Sequence, residues 1–473
     1  MKKHVLLLIF SISIMISCGS VDKKGKIYNT KAVQLNSLFN DLFEQGRFNG
    51  NVLIAEKGKV IFEKSFGLAN EQTKQKLDLE TVFELASVSK QFTAMGIVQL
   101  RKENKLSYSD KLSKYIPELD SYKGITIHDL LVHTSGLPDY MELANIHWNK
   151  ANIATNIDMI NLFKKFKPEK EFEPGEKWSY SNTGYMLLAT IIERVSGKSF
   201  GRYLKEKIFA PLNMHNTVVY RRWFQPKEIY NYAQGYIYSD SLQRKILPCE
   251  YGAEIESVYL DGIVGDGMVN SNVYDLLKWD RALYKNNFIN KDDRKIIFSS
   301  YKLKDSTETK YGYGWKISNS KVYGRTVSHG GGWAGYTTYI ERHLDNDKTI
   351  IILQNNATVK TEIPLRDVCK ILYNQPIEKP VDVDSTILKP YAGIYLNESG
   401  KEYKIHFKNN QLNFLVKPGL QLKLIPVSKN KFILDRATPE VTFTFILNKN
   451  GKVDKCRFLQ PEKEIDKELI RKN

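Results

Sequence analysis

The sequence predicts an α/β protein, in which an antiparallel sheet flanked by helices carries an all-helical subdomain and is followed by a small all-β barrel. Three observations carry this. Strand patterns open at residues 50–63 and return only at residues 326–353, and between them, from Ser87 to about Leu212, apolar residues recur at helical spacing. Beyond the polar stretch 378–385, short segments alternate with the period of two that a half-buried strand requires. At 473 residues, 42% hydrophobic and 26% charged, the chain has globular composition and suits two domains better than one core. The expected division is a leader at 1–17, a tether at 18–31, a larger domain at 32–376, a linker at 377–386 and the barrel at 387–473.

The leader begins Met1-Lys2-Lys3-His4 and continues as an apolar run over 5–16, then Ser17-Cys18-Gly19-Ser20, the order of charge, hydrophobe and small residues in a secretory signal. A spanning helix needs about 20 apolar residues, so this run is read as cleaved. Met15-Ile16-Ser17-Cys18 resembles a bacterial lipobox, which implies lipidation of Cys18, an anchor in the membrane and an exported protein of the cell envelope, on its periplasmic or surface side. Plain secretion with cleavage nearby is the alternative. Of the other cysteines, Cys249, Cys369 and Cys456 have neither metal-ligand nor disulfide-framework spacing and are expected as buried thiols.

The net charge of +17 raises the question of nucleic acid, but the basic residues are scattered, and no finger, Arg-rich helix or aromatic-basic repeat appears. No nucleic-acid partner is expected. A Lys-rich solvated surface accounts for the charge, with attraction to anionic envelope polymers as the alternative.

An amphipathic helix is expected over 33–44, and a β-hairpin over 50–63 turns at Lys57-Gly58. Helices follow at 92–100, 127–133 and 185–195, with Pro138 and Pro174-Gly175 as breaks. Residues 326–328, 337–340 and 350–353 read as strands that complete the opening sheet, and 391–395, 402–407, 411–416, 423–426, 431–434 and 441–447 as those of the barrel.

Chemistry centres on Ser87-Val88-Ser89-Lys90. A three-residue step on a helix puts hydroxyl and amine on one face, and a partly desolvated lysine loses affinity for its proton, so that it can deprotonate a neighbouring serine. Spacing alone selects nothing, since five Ser-x-x-Lys tetrads begin at Ser20, Ser87, Ser299, Ser318 and Ser428. Only Ser87 leads into an apolar helix, whose buried N-terminus offers N–H groups to an oxyanion. Tyr180-Ser181-Asn182 adds a phenol able to shuttle a proton and an amide able to hold substrate, unless Tyr180 merely packs on Trp178. His329-Gly330-Gly331-Gly332 follows a strand signal, and its glycines leave room for a ligand along a strand edge, with the Gly332 N–H as a second oxyanion donor. A flexible glycine turn beside a solvated histidine is the bland reading of that segment.

Taken in order, these motifs resemble the penicillin-recognising serine hydrolases of the class C β-lactamase type, which include D-Ala-D-Ala peptidases, D-aminopeptidases and esterases. The resemblance runs over about 33–373 and includes Leu130-Leu131-Val132-His133-Thr134-Ser135-Gly136-Leu137-Pro138, Asp266-Gly267-Met268-Val269-Asn270-Ser271 and Tyr311-Gly312-Tyr313-Gly314-Trp315. It implies a β-lactamase/transpeptidase-like fold, Ser87 as the acylated residue, Lys90 and Tyr180 as its proton partners, and Asn182, His329, Gly330 and Gly331 in substrate binding. It further implies an oxyanion hole from the N–H groups of Ser87 and Gly332, a scaffold role for His133, Ser135 and Gly136, and no metal or organic cofactor. Typical β-lactamases carry Lys-Thr-Gly where this chain has His329-Gly330-Gly331, so the cation that grips a penicillin carboxylate is replaced by a mostly neutral ring. A small-molecule or peptide substrate with an amide, peptide or ester bond, such as a D-amino-acid peptide or cell-wall fragment, is therefore expected over an antibiotic. A sensor that is acylated without turnover is the competing reading. The segment Leu388-Lys389-Pro390-Tyr391-Ala392-Gly393-Ile394-Tyr395 resembles the lipocalin-like domain appended to some of these hydrolases.

Overall fold

A computed structural model describes residues 20–21, 27–28, 30–252, 254–358, 360–435, 437 and 440–472. The leader and Cys18 lie outside the described residues. Among those described, no helix is long and apolar enough to cross a membrane.

Helix α1 (Thr30–Glu44) buries Leu35, Phe39 and Leu42, the spacing of one helical face. It leads into strands β1 (Gly50–Glu56) and β2 (Lys59–Phe66), joined through Lys57 and Gly58 with φ of 51° and 74°. Two successive left-handed residues are what a tight hairpin with right-handed strand twist demands. Strands β3 (Lys316–Ser320), β4 (Gly324–Trp333), β5 (Tyr336–His343) and β6 (Lys348–Gln354) complete a six-stranded antiparallel sheet in the order β3-β4-β5-β6-β1-β2. Pairing of Gly50 with Gln354 and of Ile54 with Ile350 closes about 300 residues of intervening chain into one unit.

Each central strand buries both faces. In β6, Ile351 and Leu353 join one core with Leu53 and Ile340, whereas Ile350 and Ile352 join the other with Val52, Ile54 and helix α1. The first core extends into the helical segment, where α2 (Lys90–Lys102) packs on α3 (Asn182–Ser196), a helix buried continuously from Thr183 to Ile192. Thr126 and Thr155 start two further helices, each in a reciprocal cap with the Asp three residues on. The second core lies under α4 (Leu365–Leu372).

Eight antiparallel strands, from Gly393–Leu396 to Ile465–Arg471, close the C-terminal barrel. The sequence reading found six. It missed Val453–Gln460 and Ile465–Arg471, whose inward residues Val453, Cys456 and Leu469 are separated by charged residues that face outward. Two other expectations are corrected. The segment 329–332 is neither a turn nor a continuation beyond a strand, because β4 runs on to Trp333 and His329 is buried within it. Cys369 and Cys456 are buried thiols, but Cys249 is only half-buried.

Candidate active site

Ser87 sits in a single 3₁₀ turn, Ala86–Ser89, that feeds directly into α2. The turn is clamped from both sides. Leu85 donates its N–H to the Val269 carbonyl at 2.9 Å, Thr338 Oγ1 donates to the Leu85 carbonyl at 2.7 Å, and Ser89 Oγ accepts from the Val269 N–H at 3.0 Å. Ala86 is held at φ 48°, a left-handed conformation that costs a residue with a Cβ about 1–2 kcal/mol. Tertiary contacts, not local preference, therefore fix the serine, and Ser87 itself is half-buried.

Lys90 is fully buried, and its Nζ meets three oxygens: Asn182 Oδ1 at 2.9 Å, the Asp266 carbonyl at 3.0 Å and Ser87 Oγ at 3.1 Å. The first two accept only, so they fix two N–H bonds of the amine. The third direction, toward Ser87, holds either the last proton of the ammonium or the lone pair of the neutral amine. The arrangement allows one proton to pass along that 3.1 Å line without any other contact being broken.

Asn182, the first residue of α3, is itself held by Asp139, whose Oδ2 accepts from the Asn182 backbone N–H at 2.9 Å and from Nδ2 at 3.1 Å. Asp139 caps the helix Tyr140–His147 through its other oxygen. Behind it, Tyr140 donates to Asp266 Oδ2 at 2.9 Å, and burial pushes the Asp266 carboxyl above the usual range against the pull of Lys90.

Tyr180 lies with its ring 5.0 Å from Lys90 Nζ. Its backbone is gripped by His133, whose carbonyl accepts from the Ser179 N–H at 3.1 Å and whose Nδ1 accepts from the Ser181 N–H at 3.2 Å. His133 therefore carries its proton on Nε2, which has no hydrogen-bond partner and lies among the rings of Tyr180, Tyr185 and Tyr311. The packing of Tyr180 is thus on His133, with ring centroids 4.5 Å apart, and Trp178 meets the same imidazole at 6.2 Å.

His329 is a neutral ring in the wall of the site. Its Nδ1 donates to the Gly330 carbonyl at 2.8 Å and its Nε2 accepts from Tyr311 Oη at 2.9 Å. Burial first, then Lys90, depresses its pKa to about 3; burial likewise drives His133 well below the ordinary value. An unfolded histidine takes up its proton near pH 6.5, so between pH 6.5 and about 3 the unfolded chain binds more protons than the folded one. Stability is expected to be full above that window and to fall on acidification by up to about 1.4 kcal/mol per pH unit for each such histidine. Denaturant melts from pH 7 to pH 4 check this, with a shallower slope for His329→Gln; an unchanged slope would refute the assignment.

Glycines bring β4 against the serine. A Cβ on Gly331 would stand 2.2 Å from the Leu85 carbonyl oxygen and 3.2 Å from the Ala86 Cβ, whereas one on Gly332 would meet nothing. Strand β3 pairs with β4 only as far as Ser328, which leaves the edge of residues 329–333 uncovered. The two-residue turn beyond Trp333 closes on the Trp333–Tyr336 pair. Alternation along an antiparallel ladder then turns the Gly332 N–H away from β5 and toward the open edge.

Of the site residues read from the sequence, Ser87, Lys90, Tyr180, Asn182, His133 and His329 are brought together here, whereas Cys18 lies outside the described residues. Sequence reasoning missed Asp139 and assigned no role to the Asp266 carbonyl or Tyr311. Only Asp139 carried a readable signal, as an acidic N-cap after Pro138. Asn182 faces Lys90 and Asp139 rather than standing free for a ligand.

Residues 35–366 match the β-lactamase family, and residues 378–471 match a family described as a domain of unknown function (DUF3471). Penicillin-binding protein 4* of Bacillus subtilis is 40% identical over 444 residues, covering 90% of this chain and 98% of that protein. Among solved structures, the octameric penicillin-binding protein homologue from Pyrococcus abyssi superposes with a TM-score of 0.65 at 24% identity, over 92% of this chain and 99% of that one. The D-amino acid amidase of Ochrobactrum anthropi SV3 shares the fold over 73% of this chain and 99% of its own, with a TM-score of 0.60 at 20% identity. The chain belongs to the β-lactamase family. Within it, the chain falls among the serine hydrolases related to class C β-lactamases and penicillin-binding proteins.

Proposed function

We propose that the chain hydrolyses an amide or peptide bond, that of a D-amino-acid peptide or cell-wall fragment, through an acyl-enzyme on Ser87. The observation that carries this is the three-oxygen cradle of Lys90, which leaves one position of the amine directed at the serine. Ser87 Oγ attacks the substrate carbonyl carbon as its proton passes to Lys90 Nζ, and the carbonyl π electrons collect on oxygen between the N–H groups of Ser87 and Gly332. Collapse expels the amine, which leaves with a proton supplied through Lys90 and Tyr180. Water then enters along the same path, its proton goes to the same pair, and the acid departs as Ser87 recovers its hydrogen.

Two further points support the choice of substrate. The amidase of the same fold is named for D-amino acids. The neutral His329 provides no charge for a penicillin carboxylate, which favours peptides, amides or esters over β-lactams as turned-over substrates. An exported lipoprotein held at Cys18 would meet such substrates in the envelope. The relatives named as penicillin-binding proteins favour a second reading, a protein that is acylated and deacylates poorly.

Purified chain and Ser87→Ala should be compared on D-amino-acid peptides, short acyl esters and a chromogenic cephalosporin, with fluorophosphonate labelling alongside. Labelling and turnover are expected to vanish in the variant while its melting temperature persists. Labelling at another serine would overturn the assignment, and a burst without steady turnover on every substrate would select the second reading.

A further inference from the structure

On the face of the sheet opposite Ser87, Glu341 and His343 stand two residues apart on β5 and so point the same way, into the second core. Helix α4 lays Cys369 over them. Glu341, His343 and Cys369 are 6%, 0% and 3% exposed. His343 Nε2 lies 3.0 Å from Glu341 Oε1, and Cys369 Sγ lies 3.8 Å from that oxygen and 3.9 Å from that nitrogen.

The remaining polar atom of each β5 ligand is already held. Tyr339 donates to Glu341 Oε2 at 2.7 Å. Tyr373 Oη lies 2.9 Å from His343 Nδ1 and 3.0 Å from the Tyr323 carbonyl; in the tautomer in which its proton goes to that carbonyl, Nδ1 donates to Oη and Nε2 turns its lone pair to Glu341 Oε1. That lone pair and a carboxylate oxygen at 3.0 Å cannot face each other bare; a cation, whether proton or metal, has to lie between them. A thiol completes the third corner.

Metal–ligand lengths of about 2.3 Å to sulfur and 2.0–2.2 Å to nitrogen or oxygen, at tetrahedral angles, separate ligand atoms by roughly 3.3–3.6 Å. Shifts of a few tenths of an ångström bring the three atoms to one face of such a tetrahedron. A cavity of about 220 Å³, lined in part by Glu341, Cys369 and Ser328, adjoins the cluster and leaves space for a water as fourth ligand. We propose that Glu341, His343 and Cys369 bind a zinc ion, which pins α4 to the sheet on the side away from the serine. Imidazole, thiolate and carboxylate suit zinc and disfavour magnesium or calcium, and the outer tyrosines orient the ligands as they do in built zinc sites. The thiol proton is released on binding, and the two anionic ligands neutralise the ion.

The test uses the full purified chain, stripped with chelator and titrated with Co²⁺ and then Zn²⁺. One equivalent of Co²⁺ is expected to give a thiolate-to-cobalt charge-transfer band that Zn²⁺ abolishes. The band should disappear in Cys369→Ser and persist in Cys249→Ser, and Zn²⁺ should raise the melting temperature of the parent by several degrees but not that of Cys369→Ser. Zinc-edge anomalous diffraction from parent crystals soaked in Zn²⁺ needs no variant and should place one peak among the three ligands. Absence of the charge-transfer band in the parent, its survival in Cys369→Ser, or an anomalous map with no peak at this cluster would each overturn the site.

Discussion

Replacing Lys90 with Met is expected to lower the rate of acylation by about 10²–10⁴-fold, the contribution of a positioned proton acceptor. Methionine fills nearly the same volume, so packing is kept, but Asn182 Oδ1 and the Asp266 carbonyl lose the donor that satisfies them. Each such orphaned buried acceptor costs about 1–3 kcal/mol, so a drop in melting temperature accompanies the loss of rate. Lys90→Arg separates the two effects. Arginine keeps a cation before Asp266 and Asn182, yet it stays protonated at any working pH and cannot take the serine proton. It should recover stability relative to Lys90→Met without recovering acylation. Stopped-flow acylation by a chromogenic ester, read beside thermal melts, checks both; an Arg variant within tenfold of the parent would remove Lys90 as the proton acceptor.

How much of this site could be read from residues alone depends on where the constraint resides. The Ser87 to Lys90 spacing is local, and one helical turn carries it into three dimensions unchanged. Tyr180, Asn182 and the glycines of β4 were reached through the order of several motifs rather than through any one. What stayed hidden is contact made by main-chain atoms or across long separations. The Asp266 carbonyl has no side-chain signature, and the grip of His133 on the backbone around Tyr180 spans 46 to 48 residues. The same holds for the fold. Hairpin 50–66 and helix α3 show their periodicity openly, whereas the last two barrel strands carry so many outward charges that their inward residues no longer read as a pattern. Cys369 shows the limit most clearly: its neighbours in space are 26 and 28 residues away, and no cysteine spacing announces them.

Gly331→Ala is the second substitution with a large expected effect, and it tests whether strand and serine are parts of one device. The residue is buried in β4 and paired with Thr338 of β5, the same threonine whose hydroxyl ties the Leu85 carbonyl. A methyl group there would sit 2.2 Å from that carbonyl oxygen, a backbone atom, and 2.3 Å from Thr338 Oγ1, a hydroxyl held by its bond to the same carbonyl. Something must move by about an ångström, and the sheet, paired on both sides of β5, is the stiffer partner. The Ala86–Ser89 turn, already strained at Ala86, is expected to be displaced, carrying Ser87 Oγ away from Lys90 and from the Gly332 N–H. Loss of one oxyanion donor alone costs about 10²–10³-fold in rate. Acylation should therefore fall by at least about that factor, with a destabilisation of roughly 1–3 kcal/mol from overpacking. Gly332→Ala supplies the contrast, since a Cβ there enters open space and leaves the N–H in place. Its effect on acylation should stay within about tenfold. Equal losses in the two variants would mean that the close approach of β4 to the serine turn does not set the reaction geometry.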